Sequence, residues 1–425
     1  MAHYHFRYGD GQVDLNLEEG NVLSVLHGHP FPAIDDIRSA LINALEHPID
    51  AVPMKEFVRT ERKVVLVVSD LSRFWMRQDL VIPHLVDYLH EQCGISHEQL
   101  TIVVANGTHK GGDERELRTL VTDRIFDLVR VINHDCEADD LVYLGTTSWD
   151  TPVSINRLVA EADAVITLGA STHHVMAGYG GGRKSIVPGV ASMETICHNH
   201  AYALEPDRFV SNHLIGNGVL EGNPLHLDML EAARMLKKLF TITLVMNSEM
   251  KLSAVFAGDV ESSWIRACQE VDSIYSIPIR EKADVVITSC GGFPKDMSLY
   301  QGTKTIDNVE SALKPGGTLI LLIEAREGGG PDEYFQWIGP LQDGTFEEKL
   351  RKHFTIPGYI FLLNCEQAQR YRIMMLTSIS PDTVAPMGIE AYHDLKDLIA
   401  AADLQDKTVY VIPNGATVVP YVEEP

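Results

Sequence analysis

The sequence predicts an α/β protein made of two α/β domains with mostly parallel sheets. Three observations carry this. Short, continuously apolar runs such as Arg62 to Ser69 (RKVVLVVS) and Leu100 to Ala105 (LTIVVA) recur along the chain, as expected of strands buried on both faces. Segments with apolar residues at helical spacing separate them, the alternation of βαβ units. At 425 residues the chain also exceeds what one ordinary core holds.

In order, residues 4 to 27 alternate polar and apolar and suggest a β-ribbon, and Ala33 to Leu45 has helical spacing. After the strand at Arg62 to Ser69 come a helix near Leu80 to Gln92 and the strand Leu100 to Ala105. A helix at Asp113 to Leu120, VRVINHD (Val129 to Asp135) and a third strong strand, Ala162 to Ser171, follow. A helix from Pro224 to Leu239 and a hairpin over Thr241 to Asp259 close the first unit, and the helix Val260 to Tyr275 with Ser276-Ile-Pro278 marks a boundary. The second unit reads as strand Ala283 to Gly292, helix near Thr305 to Leu313, strand Thr318 to Ala325, a glycine triplet at Gly328 to Gly330 and strand Arg372 to Ser378. A helix over Gly388 to Ala402 and a last strand within Lys407 to Gly415 complete it.

Composition narrows the function. The formal charge is −24, from 35 basic against 59 acidic residues. That disfavours nucleic acid and anionic membrane, whose binding rests on a basic face. The six cysteines are scattered with no CxxC, and no apolar run reaches the ~18 residues of a membrane span, so a reduced, soluble cytoplasmic protein is expected.

In a mostly parallel sheet, ligands gather beyond the carboxyl ends of the strands. Asp70 and Arg73, His109, and the pair His173/His174 each follow a predicted strand. The densest chemistry lies in ASTHHVMAGYGGGRKSIVPGVASMETICHNH, Ala170 to His200, with four of the chain's 18 histidines. Its glycines Gly180, Gly181 and Gly182 would let backbone N–H groups approach an anion, beside Arg183 and Lys184. The same turn reads equally as a tight loop with a surface lysine, and it matches neither a Walker A loop nor GxGxxG. Lys184, desolvated among cations, would be nucleophilic. His109 and His174 suit a pair of general bases. His198 and His200 share a side if their segment is extended, and either could ligate a metal. His3 and His5 read as structural. In the second unit Tyr300, Gln301 and Lys304, at a helix start, make a carboxylate or phosphate receptor.

The ordered set SDLSR, NGTHKG, STHH…GYGGGRKSIVPG…HNH and LYQGTK resembles the nickel-pincer-dependent lactate racemase family of 2-hydroxy-acid racemases and epimerases, over nearly the whole chain. The resemblance implies an active site in a cleft between two domains. It places residues 1–272 plus 405–425 in an N-terminal cofactor-binding domain and 280–404 in a C-terminal one that closes over the site. It implies a nickel-pincer nucleotide, a pyridinium-3-thioamide-5-thiocarboxylic acid mononucleotide with nickel, tethered to Lys184. Asp70, Gly180, Gly181, Gly182 and Arg183 would bind that cofactor and His200 would ligate nickel. His109 and His174 would be the acid/base pair, and Arg73, Tyr300, Gln301 and Lys304 would hold the substrate. One histidine would take the hydroxyl proton while the C2 hydrogen leaves as hydride, giving a 2-keto acid; return to the other face would invert the centre. Implied partners are a small 2-hydroxy acid and cofactor-maturation proteins, with no nucleic acid or membrane and a homo-oligomer allowed.

The chain departs from the family at Met176, where the lactate enzyme has an aromatic, at Pro357-Gly358-Tyr359 with Ile360, and at Phe74 and Trp75 after the arginine. These departures predict a substrate other than lactate. Two rivals stand beside this reading: a zinc hydrolase using His173, His174, His198 and His200, and a non-catalytic phosphate- or nucleotide-binding protein.

Overall fold

The structure, a computed structural model, describes residues 2–423. The chain divides into two compact units. Unit N comprises residues 30–202 and 218–274; unit C comprises 1–29, 203–217 and 275–425.

Unit N is built on a six-stranded sheet in the order Leu252–Gly258, Leu239–Met246, Ala164–Ala170, Val64–Ser69, Leu100–Ala105, Arg130–Asn133. Every neighbouring pair is parallel except the hairpin formed by the first two. All seven residues of Ala164–Ala170 are buried, as are Val64 through Val68, which explains their unbroken apolar runs. The helices Ile37–Glu46 and Ile82–Glu91 bury Leu41, Leu45, Leu85 and Leu89 against this sheet. Each such leucine contributes about 1.5–3 kcal/mol over an exposed one. The starts of two helices are locally specified: Asp36 accepts from the Ser39 N–H, and Asp113 with Glu116 forms a capping box.

Unit C has its own six-stranded sheet, all parallel, in the order Glu390–Tyr392, Arg372–Leu376, Leu313–Leu322, Ala283–Ser289, Val409–Ile412, Val22–Val25. The antiparallel hairpin Ala2–Tyr8/Gly11–Leu17 packs Phe6, Leu15 and Leu17 into the core of this unit.

Two expectations need correction. Residues 1–29 and 405–425 do not join unit N, because Val22–Val25 and Val409–Ile412 pair with each other and extend the unit C sheet. Residues 203–217 also lie in unit C. Apolar pattern identifies a strand without saying which sheet accepts it. The helix expected over Gly388 to Ala402 is a strand, Glu390–Tyr392, then a helix, Leu395–Ala402. Asp394 separates them, its carboxylate accepting from the Lys396 and Asp397 N–H groups as an N-cap.

Candidate active site

Ala164–Ala170, Val64–Ser69 and Leu100–Ala105 are consecutive parallel neighbours, so their carboxyl ends share one edge of the unit N sheet. Asp70, His109 and the His173/His174 pair leave from that edge.

Beyond Val64–Ser69, Gln78 clamps the strand end. Its buried side chain accepts from the Ser69 N–H and donates to the Ser69 carbonyl. Asp70 therefore leaves in a fixed direction and receives the Ser72 hydroxyl at 2.5 Å. Arg73 Nη1 donates to that hydroxyl at 2.8 Å. Phe74 and Trp75 pack against the core, so they anchor this loop.

The Asp70 carboxylate meets His109 Nδ1 at 2.5 Å. Burial opposes the Asp70 charge, but the His109 and Ser72 hydrogen bonds and the His109 and Arg73 charges outweigh it, holding the carboxyl below the usual carboxylate range. An ionised Asp70 can only accept, so His109 Nδ1 carries a proton towards it, and in the neutral ring Nε2 is then the nitrogen that presents a lone pair. That is the orientation of a general base.

His173 and His174 form a two-residue ladder with Gly178 and Tyr179. His174 Nδ1 accepts the backbone N–H groups of Met176 and Ala177 at 3.1 and 3.2 Å. A neutral His174 ring therefore keeps its proton on Nε2, which lies 3.2 Å from Lys184 Nζ and can donate to it only when that amine is uncharged. The two histidines are held in opposite tautomers. His173 is a support: its Nε2 donates to Asp272 at 3.0 Å, and its cross-strand partner Tyr179 donates to the same carboxylate.

The glycine loop is shaped by its own packing. Gly181 and Gly182 have φ of +71° and +56°, and a Cβ there would lie 2.8 Å from the Ala170 carbonyl oxygen and 2.6 Å from the Trp264 ring. Gly180 touches Ala170 and Thr172 more loosely, and its carbonyl accepts from Trp264 Nε1 at 2.7 Å. Arg183, expected beside a cofactor, turns inward. Its guanidinium is fully buried, donates to the Ala177 and Tyr179 carbonyls, and stacks 3.8 Å over Trp264. Burial lowers its pKa to about 9, which leaves it cationic at neutral pH. Arg183 thus holds the loop that presents Lys184.

His198 and His200 lie on a helix, Met193–Ala201, capped by Ser192. Two residues on a helix are about 200° apart, so the shared side that an extended segment would give does not exist here. His198 meets Thr151 Oγ1 at 3.3 Å. His200 is buried, and its Nδ1 donates to the Ile196 carbonyl at 3.0 Å, leaving a lone pair on Nε2. Burial, reinforced by the Lys184 charge, lowers its pKa to about 3. A neutral imidazole oriented through its other nitrogen is what a metal ligand requires. The four histidines of the zinc reading form no ligand cluster among the described residues.

In unit C, Tyr300 and Gln301 lie on the helical turn Leu299–Gly302 and Lys304 opens Lys304–Val309. The glycine segment fixes their position, Gly328 and Gly329 carbonyls accepting from the Leu299 and Tyr300 N–H groups. Lys304 Nζ lies 4.1 Å over the Tyr300 ring and donates to Gln301 Oε1 at 3.3 Å. Tyr359 and Ile360 are buried in the helix Ile356–Arg370, so the family departure there changes packing.

Comparison with known proteins decides the family. Residues 8–211 match the family described as Lactate racemase N-terminal domain, and 279–420 match Lactate racemase C-terminal domain. The chain belongs to the lactate racemase family. It is 27% identical to a lactate racemase of Thermoanaerobacterium thermosaccharolyticum, over 99% of both chains. It is 29% identical to one of Lactiplantibacillus plantarum over 88% of this chain and 89% of that one. The structure of the T. thermosaccharolyticum lactate racemase apoprotein superposes with a TM-score of 0.88 at 26% identity, covering 99% of this chain and all of that one. A Thermotoga maritima protein, 18% identical with TM-score 0.64, shares the fold over 91% of this chain. As a member of the lactate racemase family the protein is an isomerase, a racemase by kinship, and neither rival is favoured.

Sequence reading missed several residues that build the site. Gln78, Asp272, Trp264 and Asn223 all act on backbone or on a histidine. Asn223, for example, donates to the Met176 and Val219 carbonyls flanking the loop. Asp272 lies 99 positions from His173, and no local pattern links them.

Proposed function

We propose that the protein inverts C2 of a 2-hydroxy acid with His109 and His174 as the acid/base pair and a nickel-pincer nucleotide held by Lys184 and His200. The observation that carries this is the opposite surroundings of the two Nδ1 atoms, a carboxylate at His109 and two backbone N–H groups at His174. His109 offers a lone pair backed by the Asp70 carboxylate, and His174 offers a proton on Nε2. Racemisation needs one group to remove the hydroxyl proton and another to return it, with the roles exchanged in reverse.

The donors fit the proposed group. His200 supplies a neutral nitrogen for nickel and Lys184 an amine for the tether, while Arg183 is committed elsewhere. When bound, the cofactor supplies an acceptor and donor for the C2 hydrogen as hydride. Lys184 would hold the group through its amine, and loss of the amine charge there would leave the His174 Nε2 proton for substrate. His109 takes the hydroxyl proton as a 2-keto acid forms, and His174 supplies a proton when the alcohol is restored. Arg73 is assigned to the substrate carboxylate, and Gln301 and Lys304, with Tyr300 beside Lys304, keep the substrate-binding role that the family resemblance implies. A bidentate guanidinium fork fits a carboxylate well.

The test is intact mass and nickel content after co-expression with the cofactor-maturation proteins, followed by a racemisation screen over 2-hydroxy acids, lactate included. An adduct and nickel are expected in the parent, and Lys184→Ala should lose the adduct. Absence of adduct and nickel, with maturation verified on a known family member, would overturn the cofactor assignment. His109→Ala and His174→Ala should each abolish racemisation while leaving loading largely intact.

A further inference from the structure

The hairpin Ala2–Tyr8/Gly11–Leu17 carries a second group of metal-ligand side chains, outside the site above. His3, Tyr4, His5 and Phe6 alternate about the strand, so both histidines face outward while Phe6 is buried. The antiparallel register sets His5 opposite Asp14 and His3 opposite Asn16. One ring nitrogen of each histidine and one Asp14 oxygen all lie within 4.8 Å of one another. The rings meet edge-on at 4.6 Å, His5 Nδ1 is 2.7 Å from Asp14 Oδ1, and His3 Nδ1 is 2.7 Å from Asn16 Oδ1.

We propose that His3, His5 and Asp14 form a surface site for a late first-row divalent cation of the Ni2+, Cu2+ and Zn2+ class. Two imidazoles and one carboxylate are the donor set such ions prefer, and the oxygen-only preference of Mg2+ and Ca2+ argues against those. Ligand bonds of about 2.0–2.2 Å require donors no more than roughly 4.4 Å apart. The three side chains need only small rotations to reach that, and all three are exposed and free to make them. The backbone beneath is fixed. Phe6, Leu15 and Leu17 are in the unit C core, the Gly9 N–H donates to Asp296, and the Phe293 N–H donates to the Gly9 carbonyl. The rigid platform confines the ordering cost of binding to the three side chains. The chain's net charge of −24 adds attraction for any cation.

The experiment titrates Ni2+, and separately Zn2+, into tag-free, chelator-stripped full-length protein made without the maturation proteins. Calorimetry or competition with a chromophoric chelator reads the stoichiometry. The parent should bind one equivalent that the His3→Ala/His5→Ala variant lacks, and Asp14→Asn should weaken that equivalent by roughly tenfold or more. These substitutions are at exposed positions, and circular dichroism checks that the fold persists. His5→Gln, which keeps a polar side chain of similar reach, should lose the same equivalent. If the double variant takes up as many equivalents as the parent with unchanged affinity, or the parent takes up none, the proposal is overturned. Because the readout is metal uptake without the cofactor, failure here leaves the racemase reading intact.

Discussion

At the scale of single residues the sharpest dependence lies on Asp70. Its carboxylate fixes the His109 tautomer, and hydrogen bonds and nearby positive charge keep it ionised against the cost of burial. Asp70→Asn preserves shape but replaces the acceptor oxygen facing Nδ1 by an ambiguous amide, so the Nε2 lone pair is no longer enforced. Racemisation should fall by about 10²–10⁴, the range general base catalysis supplies, with cofactor loading retained. Turnover of the loaded variant checks this. Some of this site was legible from the sequence and some was not. The histidines, Lys184 and Arg73 stand in motifs of chemistry-bearing residues at strand ends, where position itself is a signal. Gln78 and Asp272 are ordinary polar residues whose roles exist only through contacts made by folding, 9 and 99 positions away in sequence.

At the scale of elements, the loop that carries Lys184 rests on a stack of Arg183 over Trp264, with Trp264 also donating to Gly180. Two changes should loosen it differently. Trp264→Phe keeps a ring but deletes the donor to a buried carbonyl, at a cost of about 1–3 kcal/mol. Gly182→Ala forces a Cβ to within 2.6 Å of the Trp264 ring at a positive φ, where strain of about 1–3 kcal/mol adds to the overlap. Both should lower the melting temperature, the glycine variant more, and the loop's amine should be tethered less completely by mass. Element reading succeeded where burial on both faces gave long apolar runs, as in Ala164–Ala170. It left Met193–Ala201 open, since His198 and His200 share a side only in an extended segment and this one is helical. Ser192 caps that segment, and its helix packs Ile196, Asn199 and His200 inward. It failed at Glu390–Tyr392, three residues whose strand character comes from parallel pairing with Met374–Leu376.

At the scale of the whole molecule, the two units have separate sheets and separate apolar cores, and buried neutral histidines are concentrated in unit N. Burial lowers the His200 pKa to about 3, with help from Lys184, and the His226 pKa to about 3, with help from Arg183; burial also lowers that of His134. In the unfolded chain these rings protonate near pH 6.5. A folded-state pKa below the unfolded one means the neutral ring is favoured by folding. That contribution is complete above about pH 6.5 and is lost progressively as pH falls towards the folded-state pKa. Buried carboxylates such as Asp70 act at lower pH, because their unfolded pKa is about 3.9. Between about pH 6.5 and 4.5 the histidines should therefore set the slope, each fully titrating ring removing about 1.4 kcal/mol per pH unit. Trp75, Trp149 and Trp264 lie in unit N and Trp337 in unit C. Urea unfolding of a Trp337→Phe protein, followed by tryptophan fluorescence, thus reports unit N. Its midpoint should drop steadily from pH 6.5 to 4.5, and His226→Gln should flatten the drop by about one ring's share. A midpoint independent of pH over that window would show that His200 and His226 are not held neutral by the fold, and with that would go the case for His200 as a ready-made metal ligand.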